Sequence, residues 1–86
     1  MFFVYIIYSE KLNRFYVGYT ANLETRIELY HNKGRSAYTS KGIPWKLEYK
    51  EEFASEIQAI RREKQIKKMK NRNYIISLIE QSRSTG

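Results

Sequence analysis

Eighty-six residues with sixteen Lys/Arg against nine acids, a net charge of +7, describe one small basic domain, residues 1–86, and a chain of this length buries roughly 60–65% of its unfolded surface in a single core. The lack of cysteine excludes disulfides and thiolate metal or redox centres and suits a reducing cytoplasm. No apolar run approaches the ~18 residues of a membrane span, and the apolar start lacks the basic region and small-residue cleavage site of a signal peptide, so no membrane partner is expected.

Phe2–Tyr8 is β-branched and aromatic throughout, which predicts a strand buried on both faces. Ser9–Arg14 is polar and turn-like, and Phe15–Thr20 is a second strand, so the two form a hairpin with a loop of about six residues. On the two-residue period of a strand, Tyr16 and Gly18 share one face while Phe15, Val17 and Tyr19 share the other. Gly18 inside a strand marks a bulge or a close approach by another group. Asn22 is suited to cap a helix running to about Lys33 and ending at Gly34, with Leu23, Ile27 and Tyr30 on a narrow apolar arc and Arg26 at its edge. His31 falls at the end of this helix and reads as an exposed residue near the negative end of the dipole.

Asn32–Pro44 is a long basic loop carrying Lys33, Arg35 and Lys41. Trp45–Phe53 is a third strand, with Trp45, Leu47 and Tyr49 in alternation. Ser55 caps a helix over about Glu56–Lys70, a last helix spans Asn71–Gln81, and the tail Ser82–Gly86 is expected to fray. The order β-β-α-β-α-α predicts an α+β fold with helices on a three-stranded sheet.

The charge is concentrated. Arg61, Arg62, Lys64, Lys67, Lys68, Lys70 and Arg72 stand against the single acid Glu63, a net of +6, and such a strip points to nucleic acid as partner, although many basic helices are merely solvated. All nine acids are Glu, so metal chemistry here would rest on one carboxylate with water and phosphate completing the shell, which octahedral Mg²⁺ tolerates. Glu63 lies near Ala59, Ile60 and Ile66 around its helix, with Ile57 further along, and so interrupts an apolar face. An unpaired carboxylate there is costly; its partner is either Lys67 at i+4 or a metal ion. Arg26 is either a solvated helix residue or a guanidinium aimed at phosphate. Tyr5 and Tyr16 are either a cross-strand aromatic pair or hydroxyls that orient or deprotonate a water.

Taken together these residues resemble the GIY-YIG nuclease superfamily, over about residues 2–80. Phe3-Val4-Tyr5 stands where the first signature has Gly-Ile-Tyr, and Tyr16-Val17-Gly18 where the second has Tyr-Ile-Gly. Arg26 ends a Tyr-Thr-Ala-Asn-Leu-Glu-Thr-Arg run at the family's catalytic arginine, and Ala59–Lys68 looks like the segment that supplies the metal-binding glutamate. The similarity is strongest to small, stand-alone bacterial members. It implies a three-stranded antiparallel sheet flanked by helices and hydrolysis of DNA phosphodiesters with one Mg²⁺ or Mn²⁺. Glu63 would hold the metal, Arg26 would stabilise the phosphate, and Tyr5 and Tyr16 would position or activate water. Tyr30 stands four after the arginine, where relatives carry Tyr or His; His31 is the alternative one position beyond. Phe3 replaces the first-motif glycine, Tyr19 stands where excision-repair relatives have lysine, and Asn71 and Asn73 are off register with a downstream asparagine of some relatives. Two functions are carried forward: a structure-selective DNA endonuclease linked to repair or recombination, and a non-catalytic nucleic-acid-binding module on the same scaffold. Targeting falls to the loop and the basic helix, or to a protein partner.

Overall fold

A computed structural model describes residues 1–84. Strand β1 (Phe2–Ser9) lies at the centre of a three-stranded antiparallel sheet, between β2 (Arg14–Thr20) and β3 (Trp45–Phe53). Its central position explains the unbroken apolar run: Val4, Tyr5, Ile6 and Ile7 are all buried, alternately against the two faces. The hairpin connection is four residues, Glu10–Asn13, shorter than expected because pairing extends to Ser9↔Arg14. Asn13 turns it in the left-handed region, φ 53°, and accepts a 2.6 Å hydrogen bond from the Tyr8 hydroxyl.

One face of the sheet packs against α2 (Glu56–Met69) and α3 (Arg72–Ser84), with Val4, Ile6, Val17, Ala59, Ile66 and Ile79 buried between them. Phe15 and Tyr19 join this side, as the strand period predicts. The opposite face buries Tyr5, Ile7, Ile27 and Trp45, flanked by Tyr16, Leu23 and Ile43. The expected common face for Trp45, Leu47 and Tyr49 does not hold. Ile6 pairs with Tyr49 but Ile7 pairs with Leu47, so Glu48 is an extra residue, a β-bulge that sends Trp45 and Tyr49 to opposite faces. The bulge residue is tied to α3 by its ion pair with Arg83.

The first helix departs from its expected form. Asn22 caps it as predicted, its side chain accepting from the Thr25 N–H at 3.1 Å. After one α-turn, α1 (Leu23–Thr25), the chain continues as a π-helix over Arg26–His31, and the Asn32 N–H reaches back to the Ile27 carbonyl at 2.9 Å. Helical structure ends at His31, not Lys33, and Gly34 turns the chain at φ 76°. Asn32 then braces the return to β3, bonding Trp45 N–H (2.7 Å) and Trp45 C=O (3.0 Å) through its amide. Within the long loop, Ser40–Gly42 forms a single 3₁₀ turn.

Ser55 caps α2 through the Gln58 N–H at 3.2 Å, and Lys70 ends it in the left-handed conformation, φ 47°. Ile57 is 62% exposed and does not join the apolar side expected of it. The last helix starts one residue later than expected and runs on to Ser84, so Ser82–Ser84 are helical; Thr85 and Gly86 of the expected frayed tail lie outside the described residues. Among the described residues no helix is long and apolar enough to cross a membrane.

Candidate active site

β2 is an edge strand, and beside it the two layers meet in a cleft. Tyr5, Tyr16, Gly18, Arg26, Tyr30, Glu56 and Glu63 all line it. These residues come from two strands, the π-turn and α2, so the fold assembles what the sequence scatters over fifty-nine positions, from Tyr5 to Glu63 inclusive.

Tyr5 and Gly18 are direct cross-strand partners. A Cβ at residue 18 would stand 2.5 Å from the Tyr5 hydroxyl oxygen, so the glycine exists to let the Tyr5 ring lie flat across β2. The close approach signalled by Gly18 is thus made by a side chain. Tyr16 sits two residues back along the same face, its ring centroid 6.5 Å from that of Tyr5. Burial pushes the Tyr5 hydroxyl above its ordinary pKa, with Tyr16 and Glu63 acting in the same sense and Arg26 against it. Tyr16 is raised for the same first reason, then by Tyr30 and Glu63, again opposed by Arg26.

His31 is the main correction to the sequence reading. It is not an exposed helix end but fully buried. Its Nε2 shares a 2.6 Å hydrogen bond with the Tyr5 hydroxyl, and its Nδ1 lies 3.0 Å from Thr39 Oγ1. With the proton on Nδ1, donated to Thr39, Nε2 is the acceptor for Tyr5. Burial, with the nearby Arg26 charge adding to it, pulls His31 down to about 4, so the ring is neutral at pH 7. Its place at the helix end reads as exposed in sequence, whereas position 31 is i+4 from Ile27 and shares its inward side. It is the last residue of the π-turn, and Ile27 and His31 are the two buried residues of that turn.

Tyr30 stays half-exposed at the cleft rim, its ring 4.5 Å from the Arg26 guanidinium carbon. Glu63 is only 15% exposed at its side chain and pairs with Lys67 at 3.4 Å, the i,i+4 arrangement expected. Lys67 in turn lies over the Tyr16 ring at 5.8 Å. Glu56, two helical turns before Glu63, lines the same cleft and went unmarked in sequence because only its i,i+7 spacing signals it. No group of three or more His, Cys, Asp or Glu suited to a metal occurs among the described residues. The donor set that does exist, one or two glutamates in a hydroxyl-lined cleft shared with Arg26, fits a hard oxygen-seeking cation completed by water and phosphate.

The basic residues divide. Arg62 turns inward: it grips Glu51 through Nε and Nη2 at 2.9–3.0 Å and reaches Gln65 at 2.9 Å, while Tyr49 also bonds Glu51. That pairing pushes its guanidinium pKa up and commits it to holding α2 on β3. Arg61, Lys64 and Lys68 are exposed on the side of α2 away from the sheet, whereas Lys67 and Lys70 fall on the Glu63 side. Lys33, Arg35 and Lys41 are exposed on the loop after the π-turn.

Comparison with known proteins agrees with this architecture. Residues 1–75 match the family described as the GIY-YIG catalytic domain. A UPF0213 protein of Staphylococcus haemolyticus is 42% identical over 80 residues, 92% of this chain and 94% of its own. A UPF0213 protein of Clostridium perfringens is 40% identical over 79 residues, covering 92% and 83% respectively. One of Bacillus licheniformis is 39% identical over 72 residues, covering 83% and 72%. No solved structure shows significant similarity to the chain. The two tyrosine signatures on neighbouring strands, with the family match over most of the length, establish that the chain belongs to the GIY-YIG catalytic domain family, a family of nucleases.

Proposed function

We propose that this protein is a divalent-metal-dependent DNA endonuclease that hydrolyses phosphodiester bonds in the cleft beside β2. The observation that carries the reading is the convergence of Tyr5, Tyr16, Arg26, Tyr30, Glu56 and Glu63 on one cleft from separate elements. Glu63, with Glu56 near it, would hold a single Mg²⁺ or Mn²⁺. Bound there, the ion would offset phosphate charge and favour the departing oxygen. Arg26 binds the phosphate and stabilises the charge that builds on it, while Tyr30 holds the guanidinium from its open side.

Water is the nucleophile. Its oxygen attacks phosphorus as the P–O bond to the leaving strand breaks, the water's proton passes to solvent, and the departing oxygen takes up a proton from solvent. The Tyr5 hydroxyl, donated to neutral His31 Nε2, is held with its oxygen free to accept a hydrogen bond from this water. Tyr16 orients the water. A structure-selective activity of this kind suits DNA repair or recombination in the cytoplasm, with targeting by the domain itself or by a protein partner.

One observation favours a second reading. Lys67 already neutralises Glu63, as expected of a nucleic-acid-binding module that no longer cuts. Cleavage of flap, junction, gapped and single-stranded DNA with Mg²⁺ or Mn²⁺ separates the two. Glu63→Gln is expected to abolish cleavage with folding and DNA binding retained, and Arg26→Ala to slow it by roughly 10²–10³-fold. Binding of every substrate without cleavage by wild type would leave the second reading standing.

A further inference from the structure

A second groove of about 590 Å³ runs along the open edge of β2, between the Tyr38 loop and the junction of α2 with α3. Its walls carry Arg14, Lys67, Lys70 and Arg72 and not one carboxylate. Arg72 is committed, bonding Asn13 at 2.7 and 2.9 Å and lying 5.1 Å over the Phe15 ring, so it builds the wall. Arg14 and Lys70 are exposed.

Tyr38 is the most exposed large hydrophobic residue described, at 75%, and it lies beside the groove with its ring centroid 5.9 Å from Tyr16. Its neighbour Thr39 is anchored to His31, and the Thr39 carbonyl accepts from the Trp45 indole at 2.7 Å, so the exposed ring stands on a fixed base. An aromatic face held out to water beside an all-cationic channel has the chemistry of a stacking platform for nucleic-acid bases. Bases inside a duplex are already stacked on both faces; only an unpaired base offers Tyr38 a partner. The groove is continuous with the cleft, since Tyr16 lines both and Lys67 lines the groove while pairing with Glu63.

We propose that this groove binds single-stranded DNA, with an unpaired base stacked on Tyr38 and adjacent phosphates held by Arg14, Lys67 and Lys70, so that the strand passes Tyr16 into the cleft. The proposal rests on the nuclease reading for where the strand leads, but groove binding can be measured without cleavage. The test uses the full chain in EDTA, with a fluorescein-labelled oligo-dT, a duplex of equal length, and an oligonucleotide containing one 2-aminopurine. Wild type should bind the single strand more tightly than the duplex and quench the 2-aminopurine. Tyr38→Ala should weaken single-strand binding by roughly tenfold, leave duplex binding unchanged and abolish the quenching, while Tyr38→Phe keeps all three. Equal affinity for both DNAs, or quenching that survives Tyr38→Ala, overturns the proposal. If wild type binds and quenches as expected but cleaves nothing when metal is restored, the groove stands and the nuclease reading falls.

Discussion

A phenol that burial keeps protonated at neutral pH can orient a water by hydrogen bonding but is a poor base toward it. Tyr5 is in this state, its hydroxyl donated to His31, which is neutral, buried and 2.6 Å away. The same burial makes His31 a term in stability. Its folded pKa, about 4, lies below the ordinary 6.5, so as pH falls the unfolded chain takes up the proton first. The stability associated with the neutral ring is complete above about pH 6.5 and is lost progressively down to about pH 4, a total on the order of 3 kcal/mol. Urea unfolding of wild type and His31→Gln across this window checks it: wild type should lose stability more steeply, and parallel curves would deny the depressed pKa. None of this was legible in the sequence, where His31 is a lone histidine beside a glycine-bearing loop. Tyr5, Gly18 and Arg26 were legible because strand period, cross-strand pairing and signature spacing are local properties that the fold preserves.

At the scale of elements, the π-turn and α2 carry the two halves of the cleft. A π-turn accommodates one more residue than the α-helix it interrupts. Deleting Leu29, which is half-exposed, should let Arg26–His31 close as an α-turn with His31 kept against Tyr5. The expected result is a thermal midpoint equal to or above that of wild type; a loss of several degrees would show that the π geometry is required by its packing. The α2 helix shows why residue type alone could not sort the basic strip. Arg62 reads in sequence as one cation among seven, yet its partner Glu51 lies on β3, eleven positions away. Both side chains are less than a quarter exposed, so Arg62→Ala should destabilise the fold by about 1–3 kcal/mol through an orphaned Glu51. Chemical denaturation measures this, with exposed Lys64→Ala as the control near zero. The Glu48 bulge was hidden for a similar reason: a strand's period predicts faces only while the register is unbroken, and register depends on the partner strand.

For the whole molecule, the net charge of +7 matters less than where the fold sends it. Arg61, Lys64 and Lys68 face away from the sheet, and Arg62 is spent internally. Of the strip on α2, Lys67 and Lys70 remain beside the cleft and the groove. A strand lying along β2 therefore reaches these two and leaves the outer three in solvent. Counterion release makes the difference measurable, because each phosphate contact contributes about 0.7 (single strand) to 0.9 (duplex) to the slope of log K against log salt. Lys67→Ala and Lys70→Ala should each lower the slope by about that amount. The double substitution Lys64→Ala with Lys68→Ala removes as much charge and should leave the slope unchanged. Equal losses from inner and outer lysines would mean that the charge acts as a diffuse field. A loss confined to the inner pair would mean that the elements on the two faces of the sheet, by meeting at the β2 edge, fix the path along which nucleic acid approaches Glu63.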